Sequence, residues 1–334
     1  MTLELNNDSQ RSPNVGYAWG IVILLIVTFI WGTSYPLLKM TVSSISPSAL
    51  LATRFAIAAL PFTPYLRFLN VAILRDGVLL GLIIFSTLTL QTIALETTSA
   101  NRAAFIASFN VILVPLLGQL LGRQVFLKTF FASGIAILGI GVMCWEGGQI
   151  VIGDLLMLCN GFLYSIYIIK LESITLRHPL MPLTAVQLWA VTIVSLIWAA
   201  GDFQGQYESI YQNFGILLYL GLFDTAATIM LQVVAQRWVN ASQTSLMYTL
   251  EPIFGAILSF FLLGEKLGVR GFIGAVLVLC AIVLGQSKSE NAKQYNETQS
   301  NEPTLAVLSD VDAETINLPV SLVSNNQIKS ECNS

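Results

Sequence analysis

Apolar stretches recur along the chain as far as residue 285, each bounded by a short polar break. A helix needs about 20 mainly apolar residues to cross the hydrocarbon core, and on that measure the pattern predicts about ten spans. The first five run approximately over Trp19 to Leu38, Ala49 to Leu69, Gly77 to Ala94, Ala103 to Leu121 and Thr129 to Trp145. The second five cover Leu155 to Ile169, Pro182 to Ala200, Gly215 to Ala235, Ser242 to Leu263 and Gly271 to Gly285. The first stretch is longer than the apolar region of a signal peptide and lacks a small-residue exit site, so it reads as a retained span. Residues 1–17 form a polar leading segment. Beyond Gln286 the composition turns to Asn, Ser, Gln, Glu and Asp. Such a segment cannot bury enough apolar surface to offset its ordering entropy, and residues 287–334 are expected to be a disordered tail.

Composition changes the picture by exclusion. Hydrophobic residues make up 55% of the 334 and charged residues only 10%, against about a quarter charged in a soluble domain. A water-soluble enzyme of this size could not cover its surface with so few charges. The formal charge of -3 gives no basic excess, which argues against a nucleic-acid partner, since neutralising phosphates takes clustered Lys and Arg. Cys144, Cys159 and Cys280 lie in apolar stretches and Cys332 in the polar tail, with no paired spacing. No disulfide framework or zinc site is expected. The lone histidine, His178, precedes Pro179 in a polar connection and reads as a loop residue. There is no phosphate-binding G-x-x-x-x-G-K-[ST] motif. No metal or cofactor is expected.

The basic residues set an orientation. With the N-terminus inside, eleven Lys and Arg fall on the cytoplasmic side, against Lys39, Arg102, Lys266 and Arg270 opposite and Arg54 within a span. That asymmetry puts both termini in the cytoplasm, with the Glu265 to Arg270 connection as the one exception. The halves also resemble each other. A shift of about 133 positions sets Trp31 on Tyr164 and Arg54 on Gln187, and one of about 141 sets Ala100 on Ala241 and Asn110 on Glu251. A unit with an odd number of spans enters the membrane inverted the second time, and inverted repeats give alternating access a geometric basis.

Several segments carry a family resemblance. They are Phe29-Ile30-Trp31-Gly32-Thr33-Ser34-Tyr35-Pro36 through Lys39, Arg54, and Thr98-Ser99-Ala100 through Pro115. Asn240-Ala241-Ser242 through Glu251-Pro252 and Leu263-Gly264-Glu265 belong with them. Together they resemble the EamA-type domain of the drug/metabolite transporter superfamily. The resemblance implies an all-α integral membrane protein with about ten transmembrane helices in two inverted five-helix repeats. It implies repeats over residues 18–146 and 153–286, a central substrate cavity, and often metabolite export. Gly122-Arg123-Gln124 departs from the family pattern, which has an acidic residue at the end of the fourth span.

Glu251 and Asp224 fall near the middle of the ninth and eighth spans, where an ionisable side chain is costly unless it faces a partner or water. Glu251 precedes Pro252, whose missing N–H frees a carbonyl one turn earlier and favours a broken helix at a cavity. Each carboxylate reads either as a binding group for a cation or a coupling proton, or as a tie to a neighbouring helix. Arg54 lies about a turn and a half inside its span. There it either snorkels outward to pair with Glu96, or acts as a gate or an anchor for a substrate carboxylate. Asn110, Gln91, Asn160, Gln187 and Gln232 bridge helices or contact a ligand. Trp31, Tyr35, Tyr164, Tyr167, Tyr248, Phe105 and Phe109 either line a cavity for a flat or apolar solute or pack between helices. Gly134, Gly139, Gly141 and Gly274 are expected to allow close helix contact.

The function these features favour is a secondary carrier in the cell membrane for a small organic solute such as an amino acid, amine or hydrophobic metabolite. The alternative is a receptor or assembly factor on the same fold. An intramembrane enzyme would need a positioned Ser–His pair or an aspartate pair, and neither pattern occurs. The orientation is directly testable. A reporter fused after Gln286 is expected to be active only as a cytoplasmic fusion, and alkaline phosphatase activity at that junction would overturn the topology.

Overall fold

The structure, a computed structural model, describes residues 13–123, 125–144, 150–255, 257 and 269–285. Secondary structure among them is entirely helical. The first half comprises α1 (Pro13–Thr41), α2 (Pro47–Ala59), which tightens into a 3-10 stretch over Leu60–Phe68, and α3 (Val71–Thr97). It continues with α4 (Ala100–Ala107), α5 (Asn110–Leu120) and α6 (Leu127–Cys144). The second half comprises α7 (Ile152–Thr175), α8 (Leu180–Ala199), the short α9 (Tyr207–Gln212) and α10 (Phe214–Tyr219). A π-helical stretch, Leu220–Ala227, joins α10 to α11 (Thr228–Ala235). α12 (Ala241–Tyr248), a helical turn over residues 251–255 and α13 (Val269–Gly285) complete it.

Seven helical stretches among the described residues are long and apolar enough to span a bilayer, and Leu127–Val142 and Val269–Leu284 are shorter apolar helices. The chain is therefore a multi-pass membrane protein. The expected span Ser242 to Leu263 is described only as far as residue 257. The disordered tail expected over 287–334 and the leading residues 1–12 lie outside the described residues.

Caps fix where the helices begin. Ser46, Asn70, Ser99 and Asn240 stand in extended conformation before α2, α3, α4 and α12, and each side chain accepts from a backbone N–H three residues on. These bonds satisfy donors that a helix start leaves unpaired. Asp154 does the reciprocal work at α7, accepting from the Val151 N–H at 3.0 Å.

Two spans are broken rather than continuous. The stretch read as one span, Ala103 to Leu121, is α4, a turn at Ser108–Phe109, and α5. The later stretch repeats that form: α12 ends at Tyr248, Thr249 and Leu250 turn, and the helix resumes at Glu251. The caps Ser99 and Asn240, the turns and the resuming residues Asn110 and Glu251 are all 141 positions apart. Backbone freed from an α-helix inside a membrane must find partners in protein or line a cavity. Pro115 illustrates the first solution: it cannot donate to Val111, whose carbonyl instead accepts from the Ser133 hydroxyl of α6 at 2.7 Å.

Helices meet closely where side chains vanish. A Cβ on Gly81 of α3 would stand 2.9 Å from the Gln187 carbonyl of α8, and one on Gly139 of α6 would stand 2.8 Å from the Gly274 carbonyl of α13. Gly134, expected to play the same part, has nothing within 4 Å of such a Cβ, and Gly141 makes only ordinary contact with Phe105. The tightest approach is Gly153 at the start of α7, where a Cβ would lie 2.5 Å from the Ala94 carbonyl. Gly153→Ala is accordingly expected to destabilise by roughly 1–3 kcal/mol through overpacking, whereas Gly134→Ala is expected to be neutral. Thermal unfolding of the detergent-solubilised variants checks the contrast.

Candidate functional site

A cavity lies between α1, α2, α3, α5, α7, the π-helical stretch and α11. Its wall includes Trp31, Tyr35, Arg54, Asn110, Tyr164, Asp224 and Glu251, so most of the residues singled out from sequence converge on it. Tyr248 does not line it. That ring is buried behind Trp31, with centroids 4.9 Å apart.

Two local features deliver the acidic groups. The π-helical stretch inserts extra backbone into the eighth span, a distortion common at functional sites. Thr225 secures it by donating to the Leu220 carbonyl five residues back at 2.7 Å, and Thr228 donates to the Asp224 carbonyl at 2.5 Å. Glu251 is placed by the break after α12 and by the crossing of its helix over α1. A Cβ on Gly32 would meet the Gly255 nitrogen at 3.0 Å and the Glu251 carbonyl at 3.1 Å. The two backbones touch there, which brings Glu251 against the turn of α1 that carries Trp31, Ser34 and Tyr35.

The Arg54 pairing read from sequence is corrected. Glu96 is exposed near the end of α3. Arg54 is buried, 4% exposed, and does not snorkel. Its Nη2 donates to Asp224 Oδ2 at 2.6 Å and its Nε to the Thr225 hydroxyl at 2.5 Å. The reason is distance along the span: a buried guanidinium takes the carboxylate at its own depth, and Asp224 is 1% exposed beside it. One side chain thereby ties α2 to the distorted span. Trp31 reinforces the tie, its Nε1–H donating to the Asp224 carbonyl at 3.3 Å.

Glu251 differs. It makes no hydrogen bond or ion pair among the described residues, and it lies within electrostatic reach of Asp224, Tyr35 and Tyr164. Asn110 Oδ1 and Gln232 Nε2 are likewise buried without a hydrogen-bond partner among the described residues. Asn160 and Gln187, by contrast, are committed to helix bridging: Asn160 donates to the Thr87 carbonyl at 2.8 Å, and Gln187 accepts from Tyr167 at 2.9 Å. The aromatic wall is a cluster rather than a line. Trp31 meets Tyr164 edge-on at 6.0 Å, and Tyr164 stacks on Tyr167 at 5.6 Å.

Away from the cavity the chain ends of the helices carry polar ties that sequence reading missed. Asp154 accepts from Arg102 and from the Thr98 hydroxyl, and Arg123 pairs with Glu172. His178 is more than a loop residue: its Nε2 lies 2.9 Å from Asp76 Oδ2, and its carbonyl accepts from Arg237. No local motif announces these pairs, because their members are tens of residues apart. Among the described residues no cluster of His, Cys, Asp and Glu could hold a metal ion.

The profile of the EamA-like transporter family matches the chain twice, over residues 18–145 and 151–285. This chain belongs to that family. An uncharacterized transporter of Archaeoglobus fulgidus is 31% identical to it over 263 residues, 78% of this chain and 83% of that one. An uncharacterized transporter of Bacillus subtilis, YdfC, is 21% identical, covering 75% and 85%. A WAT1-related protein of Arabidopsis thaliana is 30% identical over 45% of this chain and 46% of its own length. A crystal structure of another protein superposes with a TM-score of 0.68 at 15% identity, covering 80% of this chain and 96% of that one, a likeness of fold alone.

In this EamA-like chain the Arg54–Asp224 tie has a measurable consequence. Removing one member of a buried ion pair strands the other charge, at a cost of about 3–5 kcal/mol, whereas replacing both by apolar residues is often neutral. Arg54→Met is expected to lower the unfolding temperature in detergent sharply, and Arg54→Met with Asp224→Leu to recover most of the loss.

Proposed function

We propose that this EamA-like protein is a secondary carrier that moves a small organic metabolite across the cell membrane by alternating access, most readily as an exporter. Amino acids, amines and hydrophobic metabolites are solutes that a cavity lined by both aromatic and polar side chains can take. The reading takes residues 18–146 and 153–286 as two five-helix repeats of opposite orientation, ten helices in all, with residues 1–17 and 287–334 in the cytoplasm. The matching breaks at Ser108–Phe109 and Thr249–Leu250 support it. Discontinuous helices at the midplane are where carriers of inverted-repeat architecture hold their substrates. Nothing in the site calls for bond-making, so the chain is read as a transporter and not an enzyme.

The single observation that carries the proposal is Glu251, a carboxylate without a partner among the described residues on the wall of a cavity between apolar helices. An acid held there at the cost of desolvation is explained by a ligand that it meets, a substrate cation or a coupling proton. The Arg54–Asp224 pair then serves as a fixed strut beside it. Glu251→Gln preserves size and hydrogen-bonding capacity while removing charge and titration. In reconstituted proteoliposomes it is expected to fold normally and to lose the pH dependence of flux, while unchanged transport at every pH would reduce Glu251 to a structural residue.

A further inference from the structure

Three ionisable side chains that form ions of full charge line the cavity among the described residues: Arg54, Asp224 and Glu251. They are not equivalent. Arg54 and Asp224 meet at 2.6 Å through one Nη2–Oδ2 contact, so their opposite charges offset each other on the wall. Glu251 is left over, and it is the only one of the three without a hydrogen bond or ion pair among the described residues. With Glu251 as carboxylate the wall therefore carries one uncompensated negative charge.

Resting on the carrier reading above, we infer that the cavity selects organic monocations over zwitterions and anions, and that Asp224 sets this selectivity by occupying Arg54. An ammonium entering the cavity finds Glu251 together with Trp31 and Tyr164 on its wall, a combination of carboxylate and aromatic surface that suits a cation in a desolvated site. A substrate carboxylate finds no free counter-charge there. The guanidinium is well suited to hold a carboxylate, but its charge is already offset by Asp224 through Nη2, and an anion would also share the space with Glu251. Removing the charge of Asp224 turns the wall into one positive and one negative group, the complement of an amino acid. Asp224→Asn leaves an amide oxygen that still accepts from Arg54, so the guanidinium stays in place.

The test uses three probes with one aromatic body and different charge: phenethylamine, phenylalanine and 3-phenylpropionate. Binding to the purified full-length protein is measured by calorimetry across a series from about pH 6 to about pH 9, the upper end reading Glu251 as carboxylate, and flux of the same labelled probes in proteoliposomes. The parent is expected to bind phenethylamine at least about tenfold more tightly than phenylalanine, a difference of about 1.4 kcal/mol, and 3-phenylpropionate not at all. In Asp224→Asn that order is expected to shift by at least about tenfold toward phenylalanine. Adding Arg54→Gln to that variant is expected to return preference to the amine, because the positive group is gone. Should Asp224→Asn fail to fold, Glu251→Gln gives the second reading: it is expected to bring amine and zwitterion within a few-fold of each other. Equal binding of all three probes by the parent, or an unchanged order in both Asp224→Asn and Glu251→Gln, overturns the inference. Flux without charge preference overturns it while leaving the carrier reading intact. The expected binding order without flux does the reverse.

Discussion

A guanidinium in the middle of an apolar helix bundle needs a partner at its own depth, and most of this cavity follows from that need. Arg54 sits on α2, and the only way to answer it from the eighth span is to bring Asp224 to the same level and turn it inward. The π-helical stretch does this, with Thr225 both accepting from Arg54 and donating to Leu220. The same turn presents the Asp224 carbonyl to Trp31, which commits α1 to the arrangement. Three elements are thus held by one buried pair, and the cavity is the space that remains between them.

The second constraint is the cost of interrupting a helix where water is absent. Both interruptions here are short, and the helices that lead into them start from good caps, Ser99 and Asn240. Each places a polar residue, Asn110 or Glu251, at the first position after the turn, facing the cavity. The backbone irregularity and the polar groups of the cavity wall therefore occur together. The close crossing at Gly32 and Gly255 allows α1 to press against the second of these breaks without an intervening side chain.

Much of this was legible in the sequence. Long apolar stretches, the single internal Arg54, the mid-span Asp224 and Glu251 and the offset relating Asn110 to Glu251 all stand out, because charge in an apolar run is conspicuous. The wrong reading was local in kind: Glu96 was matched to Arg54 as a carboxylate at a span end, when the partner was Asp224, 170 residues away. Register between distant helices is set by packing, and packing leaves no periodic mark. For the same reason the π-helical stretch has no signature in Leu220–Ala227, and the His178–Asp76 and Arg102–Asp154 contacts join residues that nothing in the chain associates. Gly139 and Gly134 look alike on paper; only the neighbouring backbone of α13 separates them.

α6 and α13 contribute no residue to the cavity wall and pack most extensively against each other, through the Gly139 and Gly274 approach. Helices in lipid are held by close packing rather than by the exclusion of water. A gene encoding only residues 18–145 would therefore make a chain whose last helix has lost the surface it fits. Such a half-length product would leave that face of α6 open to lipid, without the close backbone approach that holds it here.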